Sequence, residues 1–199
     1  MKFRDMIERI HENAVNHGWW DGPKPESEVI ALIHSEWSEA VEEARRGRPL
    51  RYKTKLYGLN TRAITPMDAD YTDSFGKPEG AAVEFADGAI RIMDWLGHIG
   101  YETDAEFDTL WKLPEKVPEW NLPNIVPEDV AGAAAYIHQL TSFSLRHPTG
   151  EASIDPIALI GALQAALTWI YQRGMDPEEI IEEKNRYNET RPYKHGKKF

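Results

Sequence analysis

Between Glu79 and Gly97 the sequence carries a helical pattern that is apolar over most of its circumference. Ala82, Val83, Phe85, Ala86, Ala89, Ile90, Ile92, Met93 and Leu96 leave room for only a narrow polar stripe. That stripe is Glu84, Asp87, Arg91 and Asp94, at spacings of three, four and three, along a helix otherwise fit for burial. A buried carboxylate needs a cation, an arginine or hydrogen-bond donors beside it, or it takes up a proton. The segment therefore demands a surrounding layer of other elements and a partner for its acids.

The rest of the chain supplies that layer as further helices. Phe3, Met6, Ile7, Ile10 and Ala14 recur at helical spacing, and this opening stretch lacks the apolar core of a signal peptide. A second helix is expected from about Ser27 to Arg46, with Ser27 as its cap and a core face of Ile30, Ile33, Trp37, Ala40, Val41 and Ala44. Pro78 is expected at the start of the third helix. Later helices are expected at about Pro127 to Arg146, Asp155 to Arg173 and Asp176 to Arg191, the last with Asp176 as cap and Pro177 in its first turn. Strand signals are sparse, so the fold class is all-α, a helical bundle.

Two stretches interrupt the helices. Residues 47 to 78 carry Pro49, Gly58, Pro66, Gly76 and Pro78 and read as a long excursion, with room for a short hairpin near Leu50 to Tyr57. Pro114, Pro118 and Pro123 exclude continuous helix over Leu113 to Val126, which reads as a linker between residues 1–112 and 127–199 of one domain. A short helix is expected before Trp111. The two halves echo each other: Ile33-His34 matches Ile137-His138, and Asp94-Trp95-Leu96 matches Thr168-Trp169-Ile170. Both a duplication into degenerate tandem repeats and patterns shared by chance among helical hairpins fit these echoes.

A formal charge of -10 opposes extended contact with nucleic acid, although a single nucleotide is compatible with it. With no cysteine there is no thiolate metal site and no thiol nucleophile, and a reducing cytoplasmic setting fits. The most apolar run, Ile157 to Tyr171, falls short of the roughly 20 residues a membrane span needs, so no membrane association is expected.

Glu36, Glu39 and Glu43 share one stripe of the second helix. Alone, such a pattern is equally what a solvated helix face carries. Paired with Glu84 and Asp87 on a buried helix, it gives two helices that each present two carboxylates one turn apart. Such a pair can surround a hard cation such as magnesium, which takes a few carboxylates and completes its shell with water and phosphate oxygens. The alternative is an inter-helix network in which Arg91 neutralises the acids. On the last helix, Lys184, Asn188 and Arg191 lie at i, i+4 and i+7 on one face that suits phosphate oxygens, or simply complements the helix C-terminus.

The segments ALIHSEWSEAVEEARRG, KPEGAAVEFADGAIRIMDWLG and EKNRYNETRPYKHGKK resemble the signature segments of MazG-like all-alpha nucleoside triphosphate pyrophosphatases, a superfamily related to the dimeric dUTPases. Its Glu-x-x-Glu and Glu-x-x-Asp elements map onto Glu36, Glu39, Glu84 and Asp87 as metal ligands, and Lys184, Asn188 and Arg191 are similar to the phosphate-binding element of the related dimeric dUTPases and phage-type MazG-like proteins. The resemblance implies a Mg²⁺-dependent enzyme, a nucleoside triphosphate substrate cleaved at the alpha phosphorus to monophosphate and pyrophosphate, and a homodimer. Lys184 and Arg191 would share the charge of the leaving group, and Glu39 is the first choice for the residue that orients or deprotonates the attacking water. The long gap between Glu39 and Glu84 departs from the family's compact hairpin.

Superposing the echoes sets Leu140 and Phe143 at the positions of Glu36 and Glu39, and Ala158 and Gly161 at those of Glu84 and Asp87. One catalytic half and one degenerate half are therefore expected. The excursion holds Arg45, Arg46, Arg48, Arg51, Lys53, Lys55 and Arg62 without an acid from 45 to 62, either as a lid over a triphosphate or as a loop pairing with acidic neighbours. Trp20 is the candidate for base stacking, Trp37 is read as core, and His34 as a satisfied structural histidine. A di-iron bundle would want Glu-x-x-His pairs, which Glu36 and Glu84 lack, and an HD-type phosphohydrolase would want a His-Asp dipeptide. The alternative from another class is a non-catalytic helical module that binds a nucleotide or a protein.

Overall fold

The computed structural model describes residues 2–57, 61–66, 76–103, 126–146 and 153–196. Among them the chain is mostly helical: α1 (Phe3–Asn16), α2 (Glu26–Arg45), α3 (Ala81–His98), α4 (Val130–Ser144), α5 (Pro156–Gln172) and α6 (Pro177–Glu189), followed by a 3-10 turn at Tyr193–Gly196. Five short strands complete the described residues: β1 (Tyr52–Tyr57), β2 (Thr61–Pro66), β3 (Lys77–Glu79), β4 (Leu145–Arg146) and β5 (Ser153–Ile154). No helix among the described residues is long and apolar enough to cross a membrane.

The stripe of α3 decides the packing. Nearly every non-stripe side chain of that helix is buried, and α1, α2, α5 and α6 all pack against it. α2 also packs on α4, and α4 on α5. An aromatic row runs through the centre, with Trp37 6.0 Å from Phe85 and Phe85 meeting Trp169 edge-on at 4.9 Å. Gly88 makes this possible: a Cβ there would lie 2.2 Å from the Trp37 ring.

Three helix starts carry an aspartate cap; Asp176 is the one expected, and α4 starts at Val130 rather than near Pro127. Asp129 accepts from Gly132 N, Asp155 from Ile157 N and Ala158 N, and Asp176 from Glu178 N, with Pro156 and Pro177 in the first turns of α5 and α6. Two others differ from expectation. The second helix begins at Glu26 behind Pro25, with Ser27 already inside its first turn. The third begins at Ala81, because Lys77–Glu79, Pro78 included, are drawn into a strand. Gly80 makes the turn between them at φ 111°, with the Pro49 and Leu50 carbonyls so close that a Cβ would meet backbone at 2.5 Å.

The excursion holds a three-stranded antiparallel sheet, ordered β2-β1-β3, in place of the expected small hairpin near Leu50 to Tyr57. Tyr52 faces Pro66 on one side and Glu79 on the other, and Tyr57 faces Thr61. Pro78, which cannot donate to a ladder, sits on an edge strand as its chemistry requires. Arg51 and Lys53 bind this sheet to α6 through Glu179 and Glu183. The helix expected before Trp111 lies outside the described residues, as does the linker except for Val126, which is buried in the core.

Candidate metal and phosphate site

α2 and α3 are held face to face by Trp37 against Gly88, and this contact sets their acids opposite each other. Oxygens of Glu36, Glu39 and Glu84 lie within 4.8 Å of one another. Glu36 and Glu84 are buried and Glu39 is exposed. Asp87, the fourth expected ligand, lines the same cavity, and its carboxylate is paired with Lys184 Nζ at 2.7 Å. Lys184 also donates to Pro78 O at 3.2 Å. Arg91 Nε donates to Glu36 Oε1 at 2.5 Å, so the neutralising role the sequence allowed for Arg91 is realised for that acid. Glu39 and Glu84 have no ion pair among the described residues.

The electrostatics follow from this division. Burial, opposed by Lys184 and reinforced by the charges of Asp87 and Glu36, pushes the Glu84 carboxyl up to about 8. Glu36 is also raised by burial, even with Arg91 pulling the other way. Lys184 stays charged because Asp87 and Glu84 outweigh the burial that would lower it. Counted by residue type, four acids face two internal cations, Arg91 and Lys184, and a proton held on Glu84 offsets part of the excess.

These groups form one end of a cavity of about 240 Å³. Lys184, Asn185, Asn188 and Arg191 of the last helix and its end form one wall, so all three expected phosphate residues reach it. Lys184 is committed to Asp87, whereas Arg191 has no side-chain partner among the described residues and Asn188 Oδ1 is buried without one. Asn13, His17, Trp19 and Lys24 also line the cavity. Asn13 Nδ2 donates to Asn185 Oδ1 at 2.9 Å, and the Asn13 carbonyl accepts from His17 Nδ1 at 2.8 Å. Sequence spacing does not single out Asn13, His17, Trp19, Lys24 or Lys77, and it is Trp19, next to the stacking candidate Trp20, that lines the cavity.

Trp20 lies beside it. Its ring stacks on His98 at 3.7 Å, Lys24 Nζ sits 4.7 Å from its centroid, and its Nε1 donates to Asp94 Oδ1 at 2.9 Å. Asp94 also binds His11 Nδ1 at 2.8 Å, so the last acid of the α3 stripe ties α1 and the following turn to the bundle. Trp37 is core, as expected. His34 meets His138 with Nδ1 atoms 2.6 Å apart, one donating and one accepting, and burial lowers both below the ordinary histidine range.

Glu43 leaves the cluster: Tyr52 Oη donates to it at 2.5 Å, and Arg46 pairs with it at 3.3 Å. Both belong to a second cavity of about 330 Å³ that shares Glu39, Lys77 and Glu84 with the first. Of the basic excursion, Arg45, Arg46, Arg51 and Lys53 pair with acids, and Arg48 faces the second cavity. The side chains of Lys55 and Arg62 lie outside the described residues.

Comparison with models of known protein families found no match, and comparisons with curated proteins and with solved structures found none.

Proposed function

We propose that this chain is a magnesium-dependent nucleoside triphosphate pyrophosphohydrolase of the MazG-like all-alpha type, acting on nucleotides in the cytoplasm as a homodimer. The observation that carries the reading is the meeting of Glu36, Glu39 and Glu84 from two helices at the end of a cavity whose walls carry Lys77, Asn188 and Arg191. The donor set fits magnesium: hard oxygens, few in number, with an exposed member and room for water and phosphate. The raised titration of Glu84 supports it too, since an added divalent charge would offset the burial, and the smaller repulsion from Asp87 and Glu36, that raise it.

In the proposed reaction, water attacks the alpha phosphorus, its proton passes to Glu39, and the bond to the bridging oxygen breaks with its electron pair on the departing pyrophosphate. Magnesium, when bound, supplies Lewis-acid stabilisation of the phosphoryl oxygens. Glu36 and Glu84 would hold it, with Glu36 oriented by Arg91. Asp87, fixed by Lys184, would complete the acidic end of the site. Asn188 and Arg191 offer hydrogen bonds to phosphate oxygens.

We further propose that α2–α3 and α4–α5 are halves of a duplication. His34 with His138 and Trp37 Nε1 with Thr141 Oγ1 pair residues separated by the same interval, as facing helices related by a local twofold axis do. Leu140, Phe143, Ala158 and Gly161 then occupy the places of the four acids, leaving one metal-binding half.

One observation favours a second reading. Glu36–Arg91 and Asp87–Lys184 are matched internally, as in a helical module that binds without catalysis. Incubation with a panel of canonical and modified nucleoside triphosphates and Mg²⁺, separating monophosphate from diphosphate products, decides between them. Monophosphate with pyrophosphate is expected. Diphosphate with orthophosphate overturns the reaction, and absence of turnover with absence of divalent-ion binding favours the module.

A further inference from the structure

The carboxylates stand at a waist between two cavities. Glu39, Lys77 and Glu84 border both, so a ligand centred on them extends in either direction. The first cavity, at about 240 Å³, falls below the roughly 300 Å³ at which ordinary ligand pockets begin. A nucleotide that keeps its full polyphosphate needs space on both sides.

The two sides differ in chemistry. The first is lined by charged residues too, but adds Ile10, Ala14, Trp19, Asn13 and Asn188, a mixture of apolar, aromatic and amide groups. The second is lined almost wholly by charge. Its acids beyond the waist are engaged: Glu43 by Tyr52 and Arg46, Glu79 by Lys77, and Glu42 by Arg45. Arg48 is left without a side-chain partner among the described residues. Its position has a local cause. Gly47, at φ 64°, ends α2 with Arg48 N bonded back to Glu43 O, and this reversal returns Arg48 to the cavity that Arg46 lines.

We propose that the second cavity is the subsite for the departing diphosphate, bound by Arg48 beside the Glu43–Arg46 and Glu79–Lys77 pairs, while the nucleoside and alpha phosphate occupy the first. The inference rests on the pyrophosphohydrolase reading and changes one part of it. Lys184, Asn188 and Arg191 line only the first cavity, so they serve the alpha-phosphate side, and the leaving group meets the cations at the end of α2. The bond from the alpha phosphorus to the bridging oxygen breaks at the waist. The diphosphate carries the electron pair into the second cavity, and the oxygen of water stays on the monophosphate.

The test is calorimetric binding of inorganic pyrophosphate and, separately, of a nucleoside monophosphate, each with Mg²⁺, to the full chain and to Arg48→Ala, Arg48→Lys and Arg191→Ala. Arg48→Ala should weaken pyrophosphate about tenfold or more, the loss of a hydrogen-bonded charge, and leave the monophosphate within about twofold. Arg48→Lys should recover part of that loss, and Arg191→Ala should show the reverse preference. Equal losses on both ligands, or unchanged pyrophosphate binding in Arg48→Ala, overturn the subsite even where pyrophosphate release from triphosphates is observed. Failure of the unaltered protein to bind either ligand overturns the subsite and the function together.

Discussion

Arg91 Nε donates to Glu36 Oε1 at 2.5 Å, joining the polar stripe of α3 to the acid of α2 that lies deepest in the site. Removing one member of a buried pair leaves the other without compensation, at a cost of about 3 kcal/mol. Arg91→Met is therefore expected to lower the midpoint of urea unfolding in metal-free buffer, and added Mg²⁺ should restore part of the loss. A stability change below about 0.5 kcal/mol would show that the pair holds nothing together.

Gly88→Ala tests how the helix contact shapes the site. In an open helix this change stabilises by about 0.5–1 kcal/mol. Here the new Cβ would lie 2.2 Å from the ring of Trp37, which is fully buried and has no space to retreat. The expected outcome is a loss of about 1–3 kcal/mol and weaker Mg²⁺ binding, because α2 must move away from α3 and carry Glu36 and Glu39 with it. Thermal unfolding and metal titration of the variant read the two effects separately. A stabilised variant would contradict the close approach.

The titration of Glu84 gives stability a pH dependence of known sign. The folded protein holds this proton up to about 8, whereas the unfolded chain releases it near 4.3. Between those values the folded state binds more protons, so the contribution of Glu84 to stability falls as pH rises through the window. In metal-free buffer, Glu84→Gln should be more stable than the unaltered protein at pH 8, with the difference shrinking towards pH 4. Urea midpoints across this range check it, and parallel curves for the two proteins would refute it.

Glu39 is exposed and free of ion pairs among the described residues, so its replacement should leave the fold alone. Glu39→Gln is expected to keep unfolding within about 0.5 kcal/mol of the unaltered protein. Turnover should fall by about 100-fold to 10,000-fold while nucleotide binding persists. Loss of folding would make Glu39 structural, and retained turnover would remove it from the chemistry.

The helices were legible because their signals are local. The apolar circumference of α3, the Asp-Pro starts of α5 and α6, and the periodic faces of α1 and α2 each appear within a few turns of sequence. The sheet was not, because its order depends on pairing Tyr52–Thr54 with Lys77–Glu79 across the excursion, and a three-residue strand containing Pro78 has no periodicity to read. The same limit divides the site. Spacing on two helices was enough to suggest Glu36, Glu39 and Glu84, whereas Lys77, Asn13 and Trp19 reach the cavity from segments brought together only by packing. The pairing of Asp87 with Lys184, nearly a hundred residues apart, is likewise a product of α6 lying on α3.

Central to the proposed function is attack of water at the alpha phosphorus, and hydrolysis of a nucleoside triphosphate in ¹⁸O-labelled water with Mg²⁺ tests it directly. Mass spectrometry of the products should find the label in the nucleoside monophosphate, with unlabelled pyrophosphate. Label in pyrophosphate or orthophosphate would place the attack on another phosphorus and contradict the proposal.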